Sequence, residues 1–171
     1  MAGLANIGFT ETQSTLQGPN QTTAASGSVA AISGIAHYKF MIQNRRAFYT
    51  QFTFPLLASQ GSYLSGGGGI EYYFGQSQAA KTILSDSTTS LTITPDLRYF
   101  GFAGVNMGYI AYLTPTAKKN DTTLEIELGG GLSKKFTKFT LRTQASIARG
   151  TGVSTTTMGM KFFAGGIFFL D

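Results

Sequence analysis

The chain has 171 residues and a formal charge of +5, from 13 basic and eight acidic residues. Charged residues make up only 12% of it, half of the roughly 25% usual in soluble domains, while aromatic residues reach 13%. This composition excludes a disordered chain, the lack of long apolar runs excludes membrane helices, and the absence of cysteine excludes disulfides and thiolate metal sites.

The amino-terminal residues 1–9 (MAGLANIGF) lack the basic segment and the unbroken apolar core of a signal peptide. If the protein is exported, we expect a mature chain that carries an added initiator Met. A first strand is predicted at 3–13. The segment 14–27 has few large apolar residues and is predicted to be a mobile loop.

Alternation of apolar and polar residues with a period of two is the strongest signal along the rest of the chain. In 45–57, for example, Phe48 and Phe52 share one face, whereas Tyr49 and Gln51 share the other. The same pattern predicts further strands at 28–42, 62–75, 79–85, 89–94, 97–113, 121–134, 137–149 and 155–170. We therefore predict an all-β protein, with residues 1–171 forming a single domain.

Alternation alone does not identify the solvent outside the sheet, because soluble sandwiches also alternate. Here each strand carries only one or two charges, and the apolar faces mix glycine and alanine with terminal tyrosine and phenylalanine. Many of the predicted strands also reach the ~9–11 residues that a tilted membrane strand needs. These features favour an antiparallel up-and-down transmembrane β-barrel whose apolar faces meet lipid.

The predicted number of barrel strands is eight to ten. Tight turns alternate with connections that are in part longer, and ten strands satisfy the even parity of bacterial outer-membrane barrels, so we slightly prefer ten. The polar run at 85–90 is the weak link in this count. If the segment 76–96 is one excursion from the wall, the barrel has eight strands.

The carboxy-terminal strand carries Gly165, Gly166, Phe168 and Phe169 and resembles the signal that directs barrels to the insertion machinery, although the chain ends in Leu170-Asp171. The architecture resembles the small outer-membrane β-barrel proteins of Gram-negative bacteria, the group of the OmpA transmembrane domain, OmpX and OmpW. This resemblance implies location in the bacterial outer membrane. It also implies contact with outer-membrane lipids and with the barrel-insertion machinery.

Several charged side chains face the lumen in the predicted register. Inside a narrow barrel each of them needs a partner or water. We interpret them as a structural salt-bridge network that fills the lumen, with a charge-lined path for small solutes as the alternative. The predicted network consists of Lys39, Glu71, Arg98, Glu125, Glu127, Lys138, Arg142 and Lys161.

No motif indicates an enzyme, a cofactor or a metal site. The single histidine, His37, has no evident triad partner and is predicted to be an interior hydrogen-bonded residue. The glycine run 66–69 lacks the following Lys and Ser/Thr of a phosphate loop. The basic residues are scattered, which argues against nucleic-acid binding. Lys118 and Lys119 are predicted in an outer loop, either as a solvated pair or as contacts for lipopolysaccharide phosphates.

The sequence thus predicts a small, non-enzymatic outer-membrane β-barrel with a structural or surface-interaction role. The first alternative is a narrow passive pore for small solutes. The second is a soluble β-barrel or a tube-forming assembly subunit, in which the apolar faces form an interior or a subunit interface.

Overall fold

The computed structural model describes residues 1–14, 22–43, 45–58, 61–74, 81–85, 90–93, 97–113, 118–136 and 139–168. Nearly all of these residues lie in strands, as the alternation predicted. No helix in these ranges is long and apolar enough to cross a membrane. The strands are β1 Ala2–Ser14, β2 Thr22–Gln43, β3 Arg46–Ala58, β4 Gly61–Tyr73, β5 Lys81–Ser85, β6 Ser90–Ile93, β7 Leu97–Leu113, β8 Lys118–Lys135, β9 Phe139–Gly152 and β10 Thr155–Phe168.

Eight of the strands form a closed antiparallel barrel in the ring order β1-β10-β9-β8-β7-β4-β3-β2. The slight preference for ten strands was therefore wrong. β5 and β6 form, but they pair with each other in a separate two-stranded sheet. They have five and four residues, fewer than the ~9–11 that a wall strand needs, and β4 pairs directly with β7.

The barrel has two distinct ends, which we call the termini end and the loop end. The termini end carries the amino terminus, the β2–β3 turn, the β5–β6 hairpin and the β8–β9 turn. The loop end carries the connections after β1, β3, β7 and β9. The predicted loop 14–27 is partly strand, because Thr22 already pairs with Ser14; residues 15–21 lie outside the described ranges. The predicted loop around 114–120 is also shorter, because β8 begins at Lys118.

Side chains alternate between the lumen and the outer surface along most of the wall. In β8, Glu125 and Glu127 are 1% and 0% exposed. Their neighbours Leu124, Ile126 and Leu128 are 62%, 63% and 51% exposed. The wall is thus apolar outside and polar inside, the reverse of a soluble domain with a buried apolar core.

The strands are staggered around the ring. Ala5 pairs directly with Ala31 of β2. Following paired residues the other way round the barrel, through Lys161, leads instead to Met41 of β2, ten residues further along that strand. A barrel of eight tilted strands has an interior just wide enough for side chains to fill, and this geometry creates the site described next.

Glycines allow the wall to pack closely between β4 and β7. A Cβ atom at Gly69 would overlap the carbonyl oxygen of Ala103, and one at Gly67 would overlap that of Val105. Because both obstacles are backbone atoms, larger residues would force the two strands apart. The glycine run 66–69 therefore belongs to the wall.

Candidate functional site

A first cluster of charges surrounds Glu71 of β4, towards the termini end. Arg142 of β9 reaches across the lumen and forms two hydrogen bonds with this carboxylate, of 2.7 and 3.2 Å. Lys39 of β2 approaches Glu71 to 3.4 Å. The Tyr73 hydroxyl accepts a hydrogen bond from Lys39 and donates one to Glu71. Arg142 is further fixed by Gln144, which accepts from its Nε at 3.0 Å.

A second cluster surrounds Glu127 of β8, near the middle of the barrel. Its Oε2 accepts hydrogen bonds from Gln51 at 2.8 Å, from Asn106 at 2.6 Å and from Lys161 at 3.0 Å. Its Oε1 accepts a hydrogen bond from Ser146. These donors come from four other strands, so one buried carboxylate connects most of the ring. Three of the four bonds are made by Oε2 and one by Oε1, so both oxygens of the carboxylate are hydrogen-bonded.

Glu125 lies beside this cluster, on the side nearer the loop end. It accepts hydrogen bonds from the Tyr63 hydroxyl and from Thr123, the latter at 3.1 Å. Lys161 lies 3.8 Å from the Glu125 carboxylate and 5.2 Å from the centre of the Tyr63 ring. Lys161 thus interacts with both glutamates, and its side chain is fully buried.

The loop end of the lumen has its own polar contacts. Lys119 of β8 forms an ion pair with Glu11 of β1. Asp121 accepts hydrogen bonds from the backbone N–H groups of Thr122 and Ser154, at 2.8 and 3.0 Å. With these contacts all eight barrel strands contribute to the lumen network, and most of its bonds join strands that are not neighbours in the ring.

Aromatic and aliphatic side chains pack around the charges. Phe100 lies under the guanidinium of Arg142, with its ring centre 3.8 Å from Cζ. Two buried apolar clusters accompany the polar network. Their members are Ile7, Phe9, Val29, Tyr63, Ile110 and Tyr112 in one, and Ala47, Tyr49, Tyr73, Phe100 and Phe102 in the other.

Seven of the eight residues predicted for the interior network lie in the described ranges, and the structure places all seven on the inner face. It brings Lys39, Glu71 and Arg142 together, and Glu125, Glu127 and Lys161 together. Arg98 is buried beside the Tyr73 ring, with Cζ 5.3 Å from its centre. Lys138 lies outside the described residues. Whether the set is structural or lines a pore stays a prediction.

Sequence reasoning missed the uncharged members of the network. These members point inward, like the glutamates that they contact; they are Gln51, Asn106, Ser146, Tyr63 and Tyr73. Their parity along the strands was the available signal, but it does not show which inward residues meet across the lumen.

His37 lies in the lumen beside the Glu71 cluster. Its Nε2 is 3.9 Å from the Glu71 carboxylate, and its ring stacks on Tyr49 with the two ring centres 5.3 Å apart. Neither ring nitrogen has a hydrogen-bond partner in the described structure, in contrast to the hydrogen-bonded histidine that we predicted.

Acidic side chains of the described wall are confined to the lumen and its rim, whereas basic side chains lie on both faces. Every acidic side chain in the described ranges lies in the lumen or at its rim: Glu11, Glu71, Asp121, Glu125 and Glu127. The cations exposed on the outer face are Arg46, Lys118, Lys134 and Arg149. The outer face of the described wall is therefore apolar and cationic.

No family model and no curated protein matches the sequence. Among solved structures, the neisserial surface protein NspA is similar over 98% of this chain and 96% of its own, with a TM-score of 0.47 and 13% identity. Ail, the attachment invasion locus protein of Yersinia pestis, is similar over 96% of both chains, with a TM-score of 0.43 and 9% identity. The structure of Ail in complex with the heparin analogue sucrose octasulfate is similar over 96% of this chain and 97% of its own, with a TM-score of 0.43 and 11% identity.

Proposed function

We propose that this protein is a small integral β-barrel of the bacterial outer membrane with a structural or surface-interaction role. The observation that carries the proposal is that the wall is apolar on its outer face and polar in its lumen. Phe52, Val105 and Ile126 are 46%, 52% and 63% exposed on the outside, whereas the described acidic side chains lie in the lumen or at its rim. A closed barrel satisfies all backbone hydrogen bonds between its strands, which hydrocarbon requires.

Aromatic side chains near the termini end support the same assignment. Near this end the outer face exposes four aromatic side chains of β2, β4 and β7, which are Tyr38, Phe40, Tyr72 and Tyr99. Tyrosine is favoured at the boundary between hydrocarbon and lipid headgroups, since its ring is apolar and its hydroxyl is polar. We infer that outer-membrane lipids are the partners of this face.

Two further partners remain proposals. The terminal strand β10 closes the ring against β1, and we expect it to be the segment that the insertion machinery engages. Because Lys119 pairs with Glu11 inside the rim, Lys118 is the member of the predicted pair that remains exposed to meet lipopolysaccharide phosphates.

The test of membrane embedding is gel mobility of unboiled against boiled protein, after refolding with and without detergent micelles. We expect a mobility shift only after refolding with detergent, because the exposed apolar wall needs an apolar solvent. A folded species that is soluble without detergent would contradict the proposal. It would favour the soluble barrel or tube-forming subunit.

The hydrogen-bonded side chains in the lumen favour a barrel whose lumen is blocked over the alternative of a passive pore. Arg142 and Glu71 meet across the lumen, and Glu127 is bonded to residues of four other strands. We therefore expect no stepwise single-channel conductance when the refolded protein is added to a planar bilayer. Reproducible unit conductance from heat-modifiable, folded protein would show that the lumen conducts.

A further inference from the structure

The outer wall carries an arginine in apolar surroundings. Arg149 of β9 is paired with Ile126 of β8 on one side and with Met158 of β10 on the other. Directly paired residues have Cβ atoms roughly 4.5–5.5 Å apart, so the arginine stem lies among apolar side chains. It is exposed, and it lies only four residues before Val153 in the bend at the loop end.

Arg149 forms no ion pair with any described residue, because the acidic side chains in those ranges face the lumen or its rim. A cation on the lipid face is costly at the midplane of the bilayer and much less so near the headgroups. An arginine side chain is long enough to extend towards the rim and keep its charge at the boundary. At that boundary an anionic partner would compensate the charge of the Arg149 guanidinium.

A groove on the same surface supplies space for an apolar ligand. It is formed by Leu124, Ile126, Leu128, Ile147, Met158 and Arg149, with a volume of about 640 Å³. This lies in the range of roughly 300–1,000 Å³ typical of small-molecule sites. Thr151 also lines it, two residues nearer the loop end than Arg149 on the same face, and adds a hydroxyl.

We propose that this groove binds an anionic phosphate-bearing lipid, with an acyl chain along the aliphatic side chains and the phosphate on Arg149 at the loop end. The inference rests on the proposed membrane location. Charge complementarity selects this occupant, since a guanidinium binds phosphate oxygens bidentately. A second groove of about 500 Å³, which Leu4, Ala145 and Phe162 help to line, has no charged side chain among its described lining residues.

The chain contains no tryptophan, so a single introduced tryptophan reports on one site. In Met158→Trp we would measure fluorescence quenching in vesicles that contain brominated phosphatidic acid or brominated phosphatidylcholine. We expect a relative affinity about fivefold higher for phosphatidic acid, since one cation near a lipid surface contributes about 1 kcal/mol. Arg149→Gln in the same background should abolish this preference.

Phe162→Trp is the matched control. Phe162 lies on β10, like Met158, but it lines the second groove, whose described residues carry no charge. It should be quenched equally by both lipids. Equal quenching at Met158→Trp, or a preference that survives Arg149→Gln, would overturn the lipid site alone. Absence of quenching by either lipid at both positions would instead overturn the membrane location.

Discussion

Phe52→Arg is expected to reduce the yield of folded barrel strongly, whereas Gln51→Arg is expected to be tolerated far better. Phe52 lies mid-strand on the outer face and is 46% exposed, while Gln51 is 5% exposed and donates a hydrogen bond to Glu127. An arginine on the lipid face costs roughly 2–4 kcal/mol at the midplane. In the lumen, an arginine at position 51 meets a carboxylate.

The measurement is the heat-modifiable fraction on a gel, after refolding both variants into lipid vesicles under identical conditions. The two substitutions are adjacent in sequence and introduce the same side chain, so only the direction of the side chain differs. Equal folding yields would mean that the outer face does not meet lipid, and the assignment of the two faces would be wrong.

Glu71→Leu is expected to destabilise the barrel by about 3–5 kcal/mol, the range for breaking a buried ion pair. The substitution removes the carboxylate to which Nη1 and Nη2 of Arg142 donate hydrogen bonds, of 3.2 and 2.7 Å. The Arg142 side chain is only 2% exposed, so its charge would stay in the lumen without compensation. Unfolding by urea in detergent micelles, followed by loss of the mobility shift, measures the change.

The double variant Glu71→Leu/Arg142→Leu separates charge from packing. Replacing both members of a buried pair by apolar residues is often neutral or stabilising, so we expect the double variant to recover most of the lost stability. If it is less stable than Glu71→Leu alone, the stabilisation by Arg142 comes from packing on Phe100 and the bond to Gln144 instead of the ion pair.

Strand positions could be predicted where alternation is continuous. The predicted bounds of β7, 97–113, are those of the structure, because every second residue from Leu97 to Leu113 is apolar or glycine. The start of β2 was placed six residues late, since the small residues at 22–27 carry no hydrophobic period although their backbones pair with β1. Lys118 and Lys119 were assigned to a loop for the same reason, although both pair with β7.

Relations across the lumen were beyond the sequence pattern. Parity alone was enough to predict that Glu125 and Glu127 point inward. It could not show that Arg142 meets Glu71, because that contact depends on the ten-residue stagger of the ring. The strand number depended on a similar nonlocal fact, the direct pairing of β4 with β7, which leaves β5 and β6 outside the wall.

The cross-lumen contacts have a consequence for assembly. Arg142 of β9 and Glu71 of β4 are three positions apart in the ring, so adjacent-strand pairing alone cannot bring them together. In an open sheet, the face that later becomes the lumen would present its charges unpaired. Curling of the sheet therefore brings those charges together, and a half-built barrel that exposed them to hydrocarbon on that face would be strongly disfavoured.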